Sequence, residues 1–253
     1  CDVGRLPFFS LQTLMNQVVL VTGASSGIGK SIAFHLHNIG YTVYGTSRNP
    51  KQYSETFPFT LVQLDVTEKD SITQLIQTLE EKEYRIDVLI NNAGVGITGP
   101  VEETSLDAMR ANFETNFFGP LAMIQAVLPI MRKHTDGTII NITSIAGSMG
   151  LPFRGAYSAS KGALNIISEA LRMEIAAQGI RVMTLAPGDY AFQIRAFDYR
   201  DVAGKWGKKQ LFKVSLPTVK QISPACCPHL TIYLMHKPVC SRHSLKRCDS
   251  YSD

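Results

Sequence analysis

Short runs of aliphatic and β-branched residues alternate with longer stretches of helical periodicity, and this alternation restricts the fold more than any other feature of the sequence. We predict six strands, at Val18 to Val21, Thr42 to Gly45, Thr60 to Leu64, Asp87 to Ile90, Gly137 to Thr143 and Arg181 to Leu185. The stretches between them predict helices at about Gly27 to Asn38, Glu68 to Lys82, Ser105 to Lys133 and Ala156 to Gln178. Strands separated by helices form parallel sheets with helices on both faces. The sequence therefore predicts a single α/β domain, with a doubly wound parallel sheet in a three-layer αβα arrangement and ligands at the carboxyl ends of the strands.

This rhythm stops near Ala191. Beyond it no sustained helical or strand period is visible, and the last glutamate of the chain is Glu174. The net charge of +4 divides into −3 for residues 1–191 and +7 for residues 192–253, so the basic excess belongs to the tail and does not indicate a nucleic-acid partner. We therefore predict an N-terminal extension over residues 1–14, one folded domain over 15–191, and an atypical tail over 192–253.

Composition indicates the class of protein. With 45% hydrophobic and 18% charged residues, and no run near the roughly 18 apolar residues that a membrane span needs, the sequence predicts a soluble, cytoplasmic protein. Residues 1–14 lack the basic and apolar regions of a signal peptide.

All five cysteines lie outside Met15 to Pro224, which argues against a disulfide framework. The tail cysteines and histidines lack the Cys-x-x-Cys pairs of structural zinc sites, so we expect no metal.

A glycine-rich turn follows the first predicted strand and opens a helix. In the segment Thr22-Gly-Ala-Ser-Ser-Gly-Ile-Gly29, backbone amides and the helix N-terminus can face a pyrophosphate. The candidate contacts are Gly23, Ser25, Ser26, Gly27, Ile28 and Gly29. The spacing is a variant of the Gly-x-Gly-x-x-Gly fingerprint, and by itself it also fits an ordinary tight turn.

The end of the second strand indicates which dinucleotide is preferred. An NAD site usually carries an acid there, whereas this sequence has Thr46-Ser47-Arg48. The Arg48 guanidinium, with Ser47 beside it, can bind a ribose 2′-phosphate through two hydrogen bonds. The sequence therefore favours NADP over NAD, although Arg48 could also be a solvated loop residue.

Two further strand ends offer cofactor contacts. Asp65, next to Val66, could accept a hydrogen bond from the adenine amino group or could cap the following helix. After the fourth strand, Asn92, Ala93 and Gly94 are small or polar residues that would let the adenosine ribose pack against the backbone.

Four residues are candidates for catalysis. Tyr157 and Lys161 are four residues apart on a predicted helix, so their side chains share one face. A fixed cation beside a phenol favours its ionised form, which makes Tyr157 a candidate proton donor and acceptor. Ser144 ends the fifth strand and could hold a substrate oxygen. Asn116, within the long helix, could hold a water that links Lys161 to solvent, or could be an ordinary polar residue.

Together these motifs resemble the short-chain dehydrogenase/reductase family from about Gln17 to Ala191. The shared elements are the glycine-rich turn, the segment Asn91-Asn-Ala-Gly94, Ser144 and Tyr157-x-x-x-Lys161. The resemblance implies a Rossmann-like fold and hydride transfer between the nicotinamide of NADP(H) and a small-molecule carbonyl or secondary alcohol. It implies a catalytic tetrad of Asn116, Ser144, Tyr157 and Lys161. In it Tyr157 moves the proton, Ser144 polarises the carbonyl and Lys161 also binds the nicotinamide ribose.

The resemblance weakens after Pro187-Gly188, which fits the family and predicts a nicotinamide contact. Where the family tends to place a threonine, this sequence has Phe192, and no substrate lid or seventh strand is recognisable in Gln193 to Asp253. A reading-frame change, an aberrant splice or a divergent lid would explain this. The alternative function is a nucleotide-binding protein with little or no turnover. The family usually forms homodimers or homotetramers through helices that here would be Ser105 to Lys133 and Ala156 to Gln178.

Overall fold

A computed structural model describes residues 17–53 and 57–188. Within them, six parallel strands form one sheet in the order β3-β2-β1-β4-β5-β6. The strands are β1 (Val18–Val21), β2 (Thr42–Ser47), β3 (Thr60–Gln63), β4 (Val88–Asn91), β5 (Gly137–Ile142) and β6 (Ile180–Leu185). The predicted α/β fold is confirmed, and the strand ends differ from those predicted by no more than two residues. The predicted N-terminal extension and tail lie outside the described residues.

In the described part of the chain, five α-helices connect the strands. They are α1 (Gly27–Asn38), α2 (Lys69–Glu83), α3 (Leu106–Phe113), α4 (Gly119–His134) and α5 (Gly155–Glu174). Short 3₁₀ turns cover Pro50–Gln52, Ile145–Ser148 and Ala176–Gln178. None of the helices in the described part of the chain is long and apolar enough to cross a membrane.

The long helix predicted from Ser105 to Lys133 is in fact two helices, because α3 and α4 are separated by a π-helical turn at Glu114–Phe118. In a regular α-helix the carbonyl of Asn116 would accept a hydrogen bond from the backbone nitrogen of residue 120. That residue is Pro120, which has no N–H to donate. A wider turn at this point is the result, and such π turns are frequent at functional sites.

The sheet has a different apolar cluster on each face, because successive side chains of a strand point in opposite directions. Val18 and Leu20 belong to the cluster that contains α2 and α4 residues such as Leu79 and Val127. Val19 and Val21 belong to the second cluster with Ala33 of α1, Val43 and Phe59. This continuous burial of β1 explains its unbroken apolar sequence.

Successive strands are added to the sheet on one side of β1 and then on its other side. Strands β2 and β3 extend to one side of it, and β4, β5 and β6 extend to the other. In doubly wound sheets the crevice outside the carboxyl ends of the strands at such a point is where ligands bind. The fold therefore brings the segments that follow β1, β4 and β5 to one edge of the sheet.

Candidate cofactor and catalytic site

The turn after β1 has a backbone that favours glycine. Gly23 and Gly27 have positive φ angles of +66° and +56°. A Cβ atom at Gly29 would lie 2.5 Å from the Gly23 carbonyl oxygen, and one at Gly23 would lie 2.9 Å from the Cα of Ala93. The glycines thus close the turn tightly and let its backbone pack against the segment that follows β4.

The N-terminus of α1 can receive an anion. Ser26 precedes the helix in an extended conformation, makes no side-chain capping bond, and is followed by no acidic residue in the first turn. Ser26 and Gly27 are exposed, whereas Ser25 and Ile28 are half-buried. Unpaired N–H groups and the positive end of the helix dipole fit a pyrophosphate at this point.

Side-chain hydrogen bonds connect this turn to the end of β4. The Thr22 hydroxyl oxygen accepts hydrogen bonds from the backbone nitrogens of Asn92 and Ala93, each 2.9 Å away. The Asn92 amide nitrogen donates to the carbonyl oxygens of Thr22 and Gly23 at 2.9 and 3.0 Å. Asn92 and Ala93, which were predicted as ribose contacts, therefore hold the glycine-rich turn in place.

The ends of β2 and β3 lie on the other side of β1 from the catalytic candidates. Arg48 is exposed and forms no ion pair with the described residues, and no aspartate or glutamate occurs from Thr46 to Tyr53. The Ser47 hydroxyl accepts a hydrogen bond from the backbone nitrogen of Asn49 at 3.3 Å. An exposed cation that forms no ion pair with the described residues fits a phosphate better than a ribose hydroxyl.

Asp65 and Val66 have local structural contacts. An Asp65 carboxylate oxygen accepts hydrogen bonds from the Thr67 backbone nitrogen at 3.0 Å and the Thr67 hydroxyl at 2.8 Å. Asp65 therefore stabilises the turn that leads into α2, which begins at Lys69 after Glu68. Val66 is buried, and a Cβ atom at Gly119 would lie 2.9 Å from its Cγ2.

Lys161 is the buried cation of the site. Its side chain is 4% exposed, and its ammonium donates a 2.9 Å hydrogen bond to the carbonyl oxygen of Ile142 at the end of β5. Burial lowers its pKa from the usual 10.5 to about 8. A Cβ atom at Gly94 would lie 3.4 Å from the Lys161 ammonium and 3.1 Å from the Asn116 side-chain oxygen. Gly94 thus keeps the space beside both groups open.

Asn116 lies in the π turn and is completely buried. Its side-chain oxygen accepts from the Val95 backbone nitrogen at 2.8 Å, and its nitrogen donates to the Val95 carbonyl at 2.9 Å. The same nitrogen lies 3.2 Å from both the Asn112 side-chain oxygen and the Ser160 hydroxyl. The side-chain amide is therefore occupied by protein groups, and it holds the segment after β4 against α5.

Asn112 and Ser160 are site residues that the sequence analysis missed. The Ser160 hydroxyl donates to the Asn112 side-chain oxygen at 2.9 Å, and the Asn112 nitrogen donates to the Val95 carbonyl at 3.0 Å. The available signal was their spacing, because Asn112 is four residues before Asn116 and Ser160 is three residues after Tyr157.

Ser144 follows β5 in an extended conformation and is half-buried. Its hydroxyl oxygen accepts a 3.2 Å hydrogen bond from the backbone nitrogen of Ala146 and so caps the 3₁₀ turn Ile145–Ser148. The Ile145 nitrogen donates to the Pro187 carbonyl at 3.2 Å, and Gly188 lies beside the Ile145 side chain. The segments after β5 and β6 therefore meet beside Ser144, whereas Phe192 lies outside the described residues.

A shallow recess, which encloses no space large enough for a water molecule, adjoins the helix that carries Tyr157. Its lining residues are Ile97, Gly99, Val101, Thr104, Met109, Phe153, Arg154, Gly155 and Ala156. Tyr157 itself is half-buried, and the Arg154 guanidinium carbon lies over its ring, 4.9 Å from the ring centroid. The described residues contain no cluster of three or more histidine, cysteine, aspartate or glutamate side chains suited to a metal ion.

The profile of a family described as short chain dehydrogenase matches residues 17–201, so the match continues past Ala191. A 3-ketodihydrosphingosine reductase of Bacteroides thetaiotaomicron is 46% identical over 174 residues, which cover 69% of this chain and 64% of that protein. An uncharacterised oxidoreductase of Staphylococcus saprophyticus is 39% identical, with 69% of this chain and 79% of that protein covered. The chain thus spans somewhat less than two thirds of the Bacteroides protein's length.

Solved structures show the same likeness. The crystal structure of a metagenomic short-chain oxidoreductase in complex with NADP superposes with a TM-score of 0.65 at 32% identity. The superposition covers 70% of this chain and 85% of that one.

Proposed function

Because the chain belongs to the short-chain dehydrogenase/reductase family of oxidoreductases, we propose that it catalyses hydride transfer between NADP(H) and a small carbonyl or secondary alcohol substrate. The observation that carries this proposal is the Lys161 ammonium. It is buried at the carboxyl end of β5, one helical turn from Tyr157 and next to Gly94. A cation kept in this position at a cost in desolvation is suited to act on a neighbouring phenol and on ribose hydroxyls.

In the proposed reaction the bound nicotinamide supplies the hydride chemistry, and the protein binds, orients and moves the proton. Tyr157 donates a proton to the substrate oxygen during reduction and accepts it during oxidation. Lys161 binds the nicotinamide ribose hydroxyls, and Ser144 donates a hydrogen bond to the substrate oxygen. Asn116 completes the tetrad by fixing the segment that contains Gly94 and Val95 against α5.

The cofactor contacts are proposed along the edge of the sheet. The turn from Gly23 to Gly29 would bind the pyrophosphate, and Ser47 and Arg48 would bind the 2′-phosphate. Asp65, Val66, Asn92, Ala93 and Gly94 would contact the adenosine, while Tyr157, Lys161, Pro187 and Gly188 would contact the nicotinamide half. Support for NADP comes from the exposed Arg48, which forms no ion pair with the described residues, and from the similar oxidoreductase solved with NADP.

Substitution of Tyr157 by phenylalanine tests the proposal. Removal of the hydroxyl should lower NADPH-dependent reduction of ketones by about 100-fold or more, while NADPH still binds. Tyr84→Phe is the matched control, because Tyr84 lies before β4 at the opposite edge of the sheet and is 75% exposed. Unchanged turnover in Tyr157→Phe would contradict the assignment. NADPH binding without turnover over a broad carbonyl panel would instead favour the nucleotide-binding alternative.

Substitution of Arg48 by glutamine tests the cofactor preference. Loss of the guanidinium should lower kcat/KM for NADPH by about 10- to 100-fold and leave kcat/KM for NADH within a few-fold. Arg132→Gln, an exposed arginine at the end of α4, is the control for the charge change. Equal effects on the two cofactors would rule out a 2′-phosphate contact.

We further propose that the catalytic domain covers residues 15–191 and acts in the cytoplasm. Homodimers or homotetramers would form through the helical region that corresponds to α3, α4 and α5.

A further inference from the structure

Arg154 differs from the other arginines in the described part of the chain. Five of the other six donate a side-chain hydrogen bond to another protein group, and the sixth, Arg48, is exposed. Arg154 is half-buried, yet its guanidinium has no hydrogen bond and no ion pair with any described residue. Its Nε atom is closed off from solvent and has no hydrogen-bond partner among the residues that the structure describes.

The position of Arg154 is well defined by its backbone. The Arg154 nitrogen donates to the Leu151 carbonyl at 3.0 Å, and its carbonyl accepts from the Ser158 nitrogen at 2.9 Å. The residue therefore sits at the first turn of α5, where its guanidinium carbon lies 4.9 Å from the centroid of the Tyr157 ring. The Nη2 atom lies 3.4 Å from the Cβ position of Gly96, in the segment after β4.

The surroundings of the guanidinium are largely apolar. Ile97, Val101, Met109 and Phe153 line the same recess as Arg154. A guanidinium keeps its charge in proteins and carries five N–H donors, so closing its Nε atom off from solvent without an acceptor is unfavourable. The contact with the Tyr157 ring compensates part of this cost but leaves the in-plane donors unused. Those donors are in position for an acceptor that comes from outside the described residues.

We propose that Arg154 determines substrate specificity by binding a carboxylate of the substrate beside Tyr157, so that the preferred substrates are oxo acids or hydroxy acids with an apolar body. This inference rests on the proposed oxidoreductase function. The planar guanidinium matches a carboxylate through two parallel hydrogen bonds, which a neutral ester cannot reproduce. The apolar side chains that border the shallow recess can pack against the hydrocarbon part of such a substrate.

The test compares acids with their neutral esters. NADPH oxidation is measured with levulinate and benzoylpropionate and with the methyl esters of both, for the wild type, Arg154→Gln and Arg154→Lys. The wild type should prefer the acids. Arg154→Gln should lower kcat/KM for the acids by about 10- to 100-fold, mainly through KM, and change it for the esters by less than about 3-fold. Arg154→Lys, which keeps the charge but loses the planar fork, should be intermediate.

Arg132→Gln is the matched control and should leave the acid-to-ester ratio unchanged, because Arg132 is exposed at the opposite edge of the sheet. A wild type without preference for acids would overturn the proposal. An equal loss for acids and esters in Arg154→Gln would also overturn it, since that result indicates a structural role. Melting temperatures of all variants show whether each one is folded.

The proposed function and this inference can fail separately. If the esters are turned over and the acids are not preferred, the proposed oxidoreductase function is supported and the specificity role of Arg154 is rejected. If neither acids nor esters are turned over, the oxidoreductase function fails. The inference is then decided by calorimetric titration of benzoylpropionate into the protein saturated with NADP. Binding that weakens in Arg154→Gln but not in Arg132→Gln supports it, and equal binding overturns it.

Discussion

At the residue scale, the site places a cation where burial is unfavourable. Lys161 donates to the Ile142 carbonyl, but no carboxylate is paired with it among the described residues. Its pKa is lowered by burial because water no longer solvates the charged form. A residue that destabilises the fold while serving the reaction is expected at an active site.

Substitution of Lys161 by methionine should therefore stabilise the cofactor-free protein against unfolding. At neutral pH the ammonium is charged in both states, and a fall of the pKa from 10.5 to about 8 corresponds to a penalty on the order of 3 kcal/mol. Loss of the hydrogen bond to Ile142 offsets about 1 kcal/mol of the gain. Thermal unfolding should show a higher Tm for Lys161→Met at pH 7, together with loss of ketone reduction.

The lowered pKa of Lys161 also predicts that the stability difference between the wild type and Lys161→Met depends on pH. Between about pH 8 and 10.5 the unfolded state binds a proton at Lys161 that the folded state does not bind. The penalty for burying a charged lysine therefore disappears, and the free energy of unfolding of the wild type rises, as pH increases through this range. The stability advantage of Lys161→Met should shrink over that range. A constant difference between the two proteins from pH 7 to 10 would contradict burial as the cause.

At the element scale, the sequence located the strands well because each one is a short apolar run between turn residues. α1 was predicted with its observed ends, since the glycine-rich turn marks its start and Gly40 follows its end. The π turn at Glu114–Phe118 was missed, because one wider turn hardly disturbs helical periodicity. Arg154 was missed for a different reason, as the lack of a partner becomes visible only when the chain is folded.

The turn between β1 and α1 yields a prediction of its own. Gly29→Ala places a methyl group against the Gly23 carbonyl and the Asn92 amide, which are parts of the link between β1 and β4. We expect a loss of about 1–3 kcal/mol in the free energy of unfolding, and weaker NADPH binding because the turn is displaced. Gly150→Ala is the control, since no atom of the described residues lies within 4 Å of its Cβ position. If both variants melt and bind NADPH like the wild type, the turn is less rigid than described.

At the scale of the whole molecule, α5 presents apolar side chains to solvent. Ile166 and Met173 are 71% and 75% exposed in the single chain. Exposed apolar patches on folded proteins frequently mark interfaces, and α5 is one of the helices through which we expect subunits to pair.

Ile166→Lys should therefore shift the protein toward a smaller assembly, because a charged side chain would have to be buried at the interface. Light scattering coupled to size-exclusion chromatography measures the mass directly. Ile39→Lys, at an exposed apolar position after α1, is the control and should keep the wild-type mass. An unchanged mass for Ile166→Lys would exclude α5 as the contact.

The parallel pairing of β1 with β4 bears on how the protein opens. These two strands join the half of the sheet that contains β2 and β3 to the half that contains β5 and β6, with Thr22 and Asn92 tying their ends. A dinucleotide bound across this seam would touch the phosphate-binding turn on one side and Lys161 on the other. Because it would contact both halves of the sheet, it would slow amide hydrogen exchange in both of them together, as expected for a ligand bound only by the folded state.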